Sequence, residues 1–222
     1  MAKNFDIEVF APIGSGTNFL GWWICNGKEY AHEFDVLPLA QFNEQKKLID
    51  SPDGPTTRIL FCPDNNEYMT NHPKIRLCHP FHFIFNEPES LAPKQIYLNF
   101  DAECKKFCQK LYFYKHSERI NDKPQIIFDA PNKKLGYHIM LDNLSNQEAI
   151  DLDYKCISTI QKKLAHKDGF TIDYRKFFIE RDHNHINEVA DFIGFNPSNN
   201  FESIEQYTQH NRKKIGNEAV SF

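Results

Sequence analysis

The chain opens with an apolar run, "FDIEVFAP" (5–12), in which Ile7 and Val9, joined by Phe5, fall on one side of an extended segment. That alternation predicts a first strand. A turn of glycine, serine, threonine and asparagine follows, and "SGTNFLGWWICNGK" then reads as a helix with capping residues at its start. "SPDGP" (51–55) marks a turn and "TRILFCP" (57–63) a strand that stops at proline. "KIRLCHP" (74–80) and "KQIYLNF" (94–100) are further short apolar runs. The second leads into "DAECKKFCQKLYFYKHSER", an amphipathic helix with Cys104, Phe107, Cys108, Leu111 and Tyr112 on its apolar side.

"PQIIFDAP" (124–131) and "GYHIMLD" (136–142) read as strands, with "NKKLG" between them as a hairpin connection. Helical spacing returns over 146–165 at Ile150, Tyr154, Ile157 and Ile160. "FTIDYRKFF" (170–178) begins as a strand, and "NHINEVADFIGF" (184–195) is a helix with Ile186, Val189, Ala190 and Ile193 inward, stopped by Gly194. Short strands alternating with helices predict an α/β fold with a mainly parallel sheet. Such sheets bind ligands at the carboxyl ends of their strands.

Composition narrows the class. A chain of 222 residues suits one domain, here 1–222, with a sizeable core. Hydrophobic residues make up 41% and charged ones 25%, and 20 phenylalanines with 9 tyrosines argue against disorder and against a coiled coil. The net charge of −4 gives no overall attraction to nucleic acid or to an anionic membrane, so an anion site has to be local. No run approaches the roughly 20 apolar residues of a membrane span, and "MAKNFDIEVF" lacks the apolar core of a signal peptide. Cys25, Cys62, Cys78, Cys104, Cys108 and Cys156 are scattered without a CxxC pair, which favours reduced thiols and the cytoplasm. His79-x-x-His82 and Asp182-His183-x-His185 bring ligand-type residues together, but no third ligand stands at zinc spacing, so no metal is expected. "DHNH" serves as a polar helix start, and Trp22 and Trp23 as core.

The turn "GSGTN" has the makings of an anion site. Gly14 and Gly16 let the backbone take positive φ and approach a ligand closely. The N–H groups of Gly16, Thr17, Asn18 and Phe19 open the helix, where the helix dipole favours negative charge. Ser15 and Thr17 add hydroxyls. The bland alternative is a plain strand-to-helix corner. It is not a Walker A loop, because no lysine precedes Thr17.

The run from Pro12 to Leu20 resembles the "P-K/R-S-G-T-T/S-W/L-L" loop of the cytosolic-type and related sulfotransferases. In that family the loop follows the first strand and holds the 5′-phosphosulfate end of 3′-phosphoadenosine-5′-phosphosulfate (PAPS). Ser15, Gly16 and Thr17 match it, with Asn18 at a small polar position and Phe19 at an aromatic one. "RLCHP" (76–80) resembles the family's strand ending in "T-H-L/x-P", which implies His79 as general base. An imidazole titrating near pH 6.5 suits that role. Residues 94–115 are similar to a segment in which an arginine and a serine hold the 3′-phosphate, but Phe100 and Cys108 stand at those two positions. "FTIDYRKFFIERDHNHINEVADFIGFN" resembles the family's C-terminal block, with Tyr174 ending the strand. Arg212, Lys213, Lys214 and Gly216 echo the closing "R-K-G-x-x-G" phosphate loop.

The resemblance implies a three-layer α/β/α domain of the P-loop NTPase-like sulfotransferase type, with 35–70 and 120–165 unmatched. It implies PAPS, or its product 3′-phosphoadenosine-5′-phosphate (PAP), held by Gly14, Ser15, Gly16, Thr17, Asn18, Phe19, Arg212, Lys213 and Lys214. The acceptor would be a hydroxyl or amine of a small molecule, glycan or lipid. Self-association is left open. Gly14 takes the place of the family's cation before Ser-Gly-Thr, a loss on the order of 3–4 kcal/mol at the leaving group if oxyanion-site magnitudes apply. Lys28, Lys74, Lys94 or the Arg212–Lys214 cluster are the candidates to replace it. Two competing readings are a catalytically degenerate binding module of the same fold and, with less support, a nucleotide-dependent phosphotransferase with a modified P-loop.

Overall fold

The structure is a computed structural model that describes residues 5–12, 14–28, 62–63, 70–71, 74–78, 80, 92–111, 146–164, 168–196 and 201–215. Among them are six strands: β1 (Ile7–Phe10), β2 (Cys62–Pro63), β3 (Thr70–Asn71), β4 (Ile75–Cys78), β5 (Lys94–Asn99) and β6 (Asp168–Asp173). The helices are α1 (Thr17–Gly27), α2 (102–111), α3 (Asn146–Lys163), α4 (His183–Ile193) and α5 (Phe201–Ile215). A π-helical segment, Arg175–Glu180, connects β6 towards α4. The strands predicted at 124–131 and 136–142, and most of that at 57–63, lie outside the described residues.

The sheet order is β2-β3-β4-β1-β5-β6. β4, β1, β5 and β6 run parallel, and β2 and β3 add an antiparallel flank to β4. This is the mixed α/β architecture that the alternation of patterns predicts. The chain leaves β1 for β4 on one side and later places β5 on the other. The order therefore reverses beside β1, and in open α/β sheets the carboxyl ends at such a reversal are where ligands bind.

Strand periodicity divides the core. Ile7 and Val9, Ile75 and Leu77, and Ile96 and Leu98 face one way, into a cluster with Phe19, Trp22 and Trp23 of α1, Cys104 to Leu111 of α2, and buried residues of α4 and α5. Phe10, Cys78 and Tyr97 face the other way, against Ile157, Ile160 and Leu164 from α3 and its end. Helices thus cover both faces, and burial of these two apolar sets supplies the main drive to fold. The same opposite-facing register carries an unexpected polar row. Glu8 is paired in register with Arg76 on one side and Gln95 on the other, and all three are buried. The Arg76 guanidinium meets the Glu8 carboxylate, and Gln95 Nε2 donates to the Ala92 carbonyl at 2.8 Å. Burial lowers the Arg76 pKa, and Cys78 beside it works in the opposite direction. Removing either member of such a buried pair costs about 3–5 kcal/mol.

Both tryptophans belong to the core, as expected: Trp23 meets Phe177 and Phe195 edge-on at 5.1 and 4.8 Å. Cys25, Cys78, Cys104, Cys108 and Cys156 are buried free thiols. Desolvation raises the Cys78 thiol to about 12, so it stays protonated and inert. α4 has the ends its sequence predicts. Asp182 caps it by accepting from the Asn184 and His185 amides, and Gly194 stops it with φ 94°. Among the described residues no helix is long and apolar enough to cross a membrane.

Candidate functional site

The glycine turn lies where the topology places a ligand. β1 ends at Phe10, and the Ala11 amide still donates to the Cys78 carbonyl of β4 at 3.1 Å before the chain turns away. The turn is closed by the Ser15 amide and Ser15 hydroxyl, which reach the Pro12 carbonyl at 3.2 and 2.5 Å. Gly14 and Gly16 both adopt left-handed backbone, at φ 79° and 83°. Gly16 is the N-cap of α1 and has no side chain to cap it, while its carbonyl accepts the first intrahelical bond from Leu20 at 2.9 Å. The amides of the first turn therefore begin at the carboxyl edge of the sheet, beside the reversal of strand order. No basic or acidic residue stands in that turn.

The loop is tightly held. Ser15 and Thr17 are buried, and their hydroxyl oxygens are 3.4 Å apart. From α5, Tyr207 packs over the turn: its ring stacks on Phe19 at 4.1 Å, and its hydroxyl would lie 2.9 Å from a β-carbon built on Gly16. The Gly14 φ also disfavours a side chain, so the backbone at this position is not arranged for the lysine or arginine that the resembling loop carries.

The other expected residues are placed unevenly. His79 lies outside the described residues, although the strand that precedes it ends beside Ala11. Arg212 and Lys213 belong to α5, which is helical to Ile215, where the resemblance implies a phosphate loop. The helix persists because Ile204, Tyr207, Thr208 and Asn211 form one buried face, a helical spacing that includes polar positions. Arg212 is half-buried and Lys213 exposed; the Lys214 side chain lies outside what is described. Arg212 follows Tyr207 by five residues, about 7.5 Å along the helix.

Three of the candidate cations stand at the opposite edge. Lys94 begins β5, and its ammonium donates to the Phe192 and Ile193 carbonyls at 2.5 and 3.3 Å. Lys28 ends α1 and donates to the Gly194 carbonyl at 3.4 Å. Together they occupy the carboxyl end of α4, where the helix dipole favours cations. Lys74 precedes β4 and lies 3.8 Å from the Asp6 carboxylate. With strands of four to six residues at ~3.3 Å each, these groups are roughly 13–20 Å from the loop.

At the end of β5, Phe100 sits between Tyr154 and Tyr174, with both ring centroids at 4.9 Å. Tyr174 in turn packs at a tilt against Phe178, with ring centroids 4.6 Å apart, and its hydroxyl meets the buried Cys108. Burial first, then Cys108, raises the Tyr174 pKa. Arg175, next in sequence to Tyr174, is engaged by two carboxylates: Nε with Asp101 and Nη2 with Glu103 at 2.5 Å. Asp101 also caps α2 by accepting from the Glu103 and Cys104 amides at 2.9 and 2.8 Å. The Arg175 hydrogen bond is the main cause that brings its carboxyl down to about 2. Sequence reasoning missed this clamp. Its only signal was an arginine two residues past the strand that ends at Asp173, and nothing local linked it to residue 101.

Among the described residues no group of three or more acidic, histidine or cysteine side chains could hold a metal ion. His183 stacks on Phe201 at 4.4 Å, and His185 Nε2 accepts from the Asp173 amide at 3.0 Å, so both serve the packing of α4. Comparison with known proteins finds no matching family model, no matching curated protein and no matching solved structure.

Proposed function

We propose that the turn at 14–19 binds the phosphate or sulfate-ester end of a nucleotide-type donor, and that the chain is a sulfotransferase-like protein of the P-loop-containing type. The observation that carries this reading is the position of the turn. A left-handed Gly-Ser-Gly corner opens α1 at the carboxyl edge, beside the reversal of strand order. In the proposed reaction His79 takes the proton of an acceptor hydroxyl or amine. The acceptor atom then bonds to the sulfur of PAPS as the bond from sulfur to the bridging phosphate oxygen breaks, and PAP leaves. The first-turn amides of α1 would hold the 5′-phosphate, with Arg212 and Lys213 of α5 as candidate cations. Calorimetric titration with PAP tests the binding step: heat and a raised melting temperature are expected, and neither at millimolar ligand refutes it. Transfer of labelled sulfate from PAPS, lost in His79→Ala, tests the chemistry.

A second reading keeps the donor site without catalysis. It is favoured by Lys28, Lys74 and Lys94 standing at the far edge, and by the aromatic seat at Phe100 and Cys108, where no arginine or serine supports a 3′-phosphate. It predicts that PAP binds, that it binds no better than adenosine 5′-phosphate, and that His79→Ala changes nothing.

A further inference from the structure

Tyr207 touches both ends of the first turn of α1. Its ring lies nearly parallel to Phe19, with centroids 4.1 Å apart at 17°, and its hydroxyl and Cε1 would lie 2.9 and 3.3 Å from a β-carbon at Gly16. The amides of Thr17, Asn18 and Phe19 therefore lie between two contact points made by one side chain. That side chain is itself anchored. The hydroxyl of the next residue, Thr208, donates to the Phe178 carbonyl at 2.8 Å, and Arg181 Nη1 meets Glu205 at 2.7 Å, tying α5 to the π-helical segment and its end. Burial keeps the Tyr207 phenol neutral, and the neighbouring Asn211 carboxamide acts on it in the opposite sense. A donor array gains most when it is fixed before the anion arrives, because no reorganisation is then needed.

We infer that Tyr207 is a positioning residue: it clamps the first turn of α1 in the arrangement that receives an oxyanion, and so couples the docking of α5 to occupancy of the loop. The inference rests on the reading of the loop as a phosphate or sulfate-ester site. It makes α5 responsive to ligand, since what binds the clamped turn stabilises the clamp. It also gives Gly16 a second reason to be glycine besides its φ.

The test compares the full chain with Tyr207→Phe, which keeps the ring, and Tyr207→Leu, which loses ring and hydroxyl. Affinities for PAP and for inorganic pyrophosphate are measured by calorimetry, alongside melting temperature and amide hydrogen exchange over 201–215. The leucine variant is expected to bind at least about ten-fold more weakly, and the phenylalanine variant to lie between it and the parent, up to about five-fold weaker. Ligand should slow exchange in α5 of the parent protein. If the parent binds, yet both variants bind within about two-fold of it, or α5 exchange is indifferent to ligand, Tyr207 is merely a packing residue and the inference falls while the loop reading stands. A leucine variant that does not fold leaves the exchange result to decide. If the parent binds neither probe, the loop reading falls and takes this inference with it.

Discussion

The two edges of the parallel sheet are built on opposite plans. At the amino edge, ammonium groups are engaged locally: Lys94 and Lys28 meet carbonyls at the end and C-cap of α4, and Lys74 faces the Asp6 carboxylate. At the carboxyl edge, left-handed glycines present the start of α1, aromatic rings enclose Phe100, and Arg175, just past β6, is held by Asp101 and Glu103. The difference teaches that charge counted along a sequence is not charge delivered to a site. A helix that leaves the carboxyl edge carries its C-terminal lysine away from it. A lysine at a strand's first residue is separated from the crevice by the length of that strand.

Four changes test this contrast, beginning with the largest. Gly16→Ala should lower unfolding free energy by about 3 kcal/mol in urea titration, since it combines left-handed strain with a clash against the Tyr207 hydroxyl. Loss below about 1 kcal/mol would mean that the corner yields to a side chain with little strain. Phe100→Ala removes a half-buried ring from between two tyrosines and should cost about 2 kcal/mol, less than a fully buried phenylalanine. Differential scanning calorimetry reads that as a lower melting temperature. Lys94→Met keeps the stem but not the hydrogen bonds to α4, for a loss of about 1 kcal/mol with unchanged PAP affinity. A fall in affinity would place Lys94 in the site after all.

The smallest effect is pH-dependent. The Asp101 carboxyl lies at about 2 in the fold against an ordinary 3.8, so the folded state favours its ionised form. Its contribution is fully present above about pH 4 and disappears as pH falls through about 2. Because the side chain is partly exposed, Asp101→Asn should cost less than about 1 kcal/mol at neutral pH. Acid-unfolding curves of variant and parent should converge towards pH 2, and a gap that persists there would show that the carboxylate's charge is not what matters.

Local pattern made much of the fold legible. Alternation at Ile7 and Val9 marks β1, the i, i+3, i+4 spacing at Ile186, Val189, Ala190 and Ile193 marks α4, and Asp182 and Gly194 mark its ends. These are short-range effects that a few neighbouring residues decide. The candidate loop was legible for the same reason, because Gly14 and Gly16 can hold left-handed backbone where other residues are strained. The C-terminal basic run was harder to read: its charges suggested a phosphate loop, yet Tyr207, Thr208 and Asn211 turn their polar side chains inward and keep the segment helical.

By itself, then, the sequence determined where β1, α1 and α4 lie, that strands and helices alternate, and that a glycine corner follows the first strand. Only the tertiary structure decided the order β4-β1-β5-β6, the pairing of Glu8 with Arg76, the Arg175 clamp and the contact of Tyr207 with Gly16. The physical reason is range. Backbone preference and amphipathic period act over a handful of residues, whereas Gly16 and Tyr207, or Asp101 and Arg175, meet only after the sheet has fixed the separation of segments far apart in the chain.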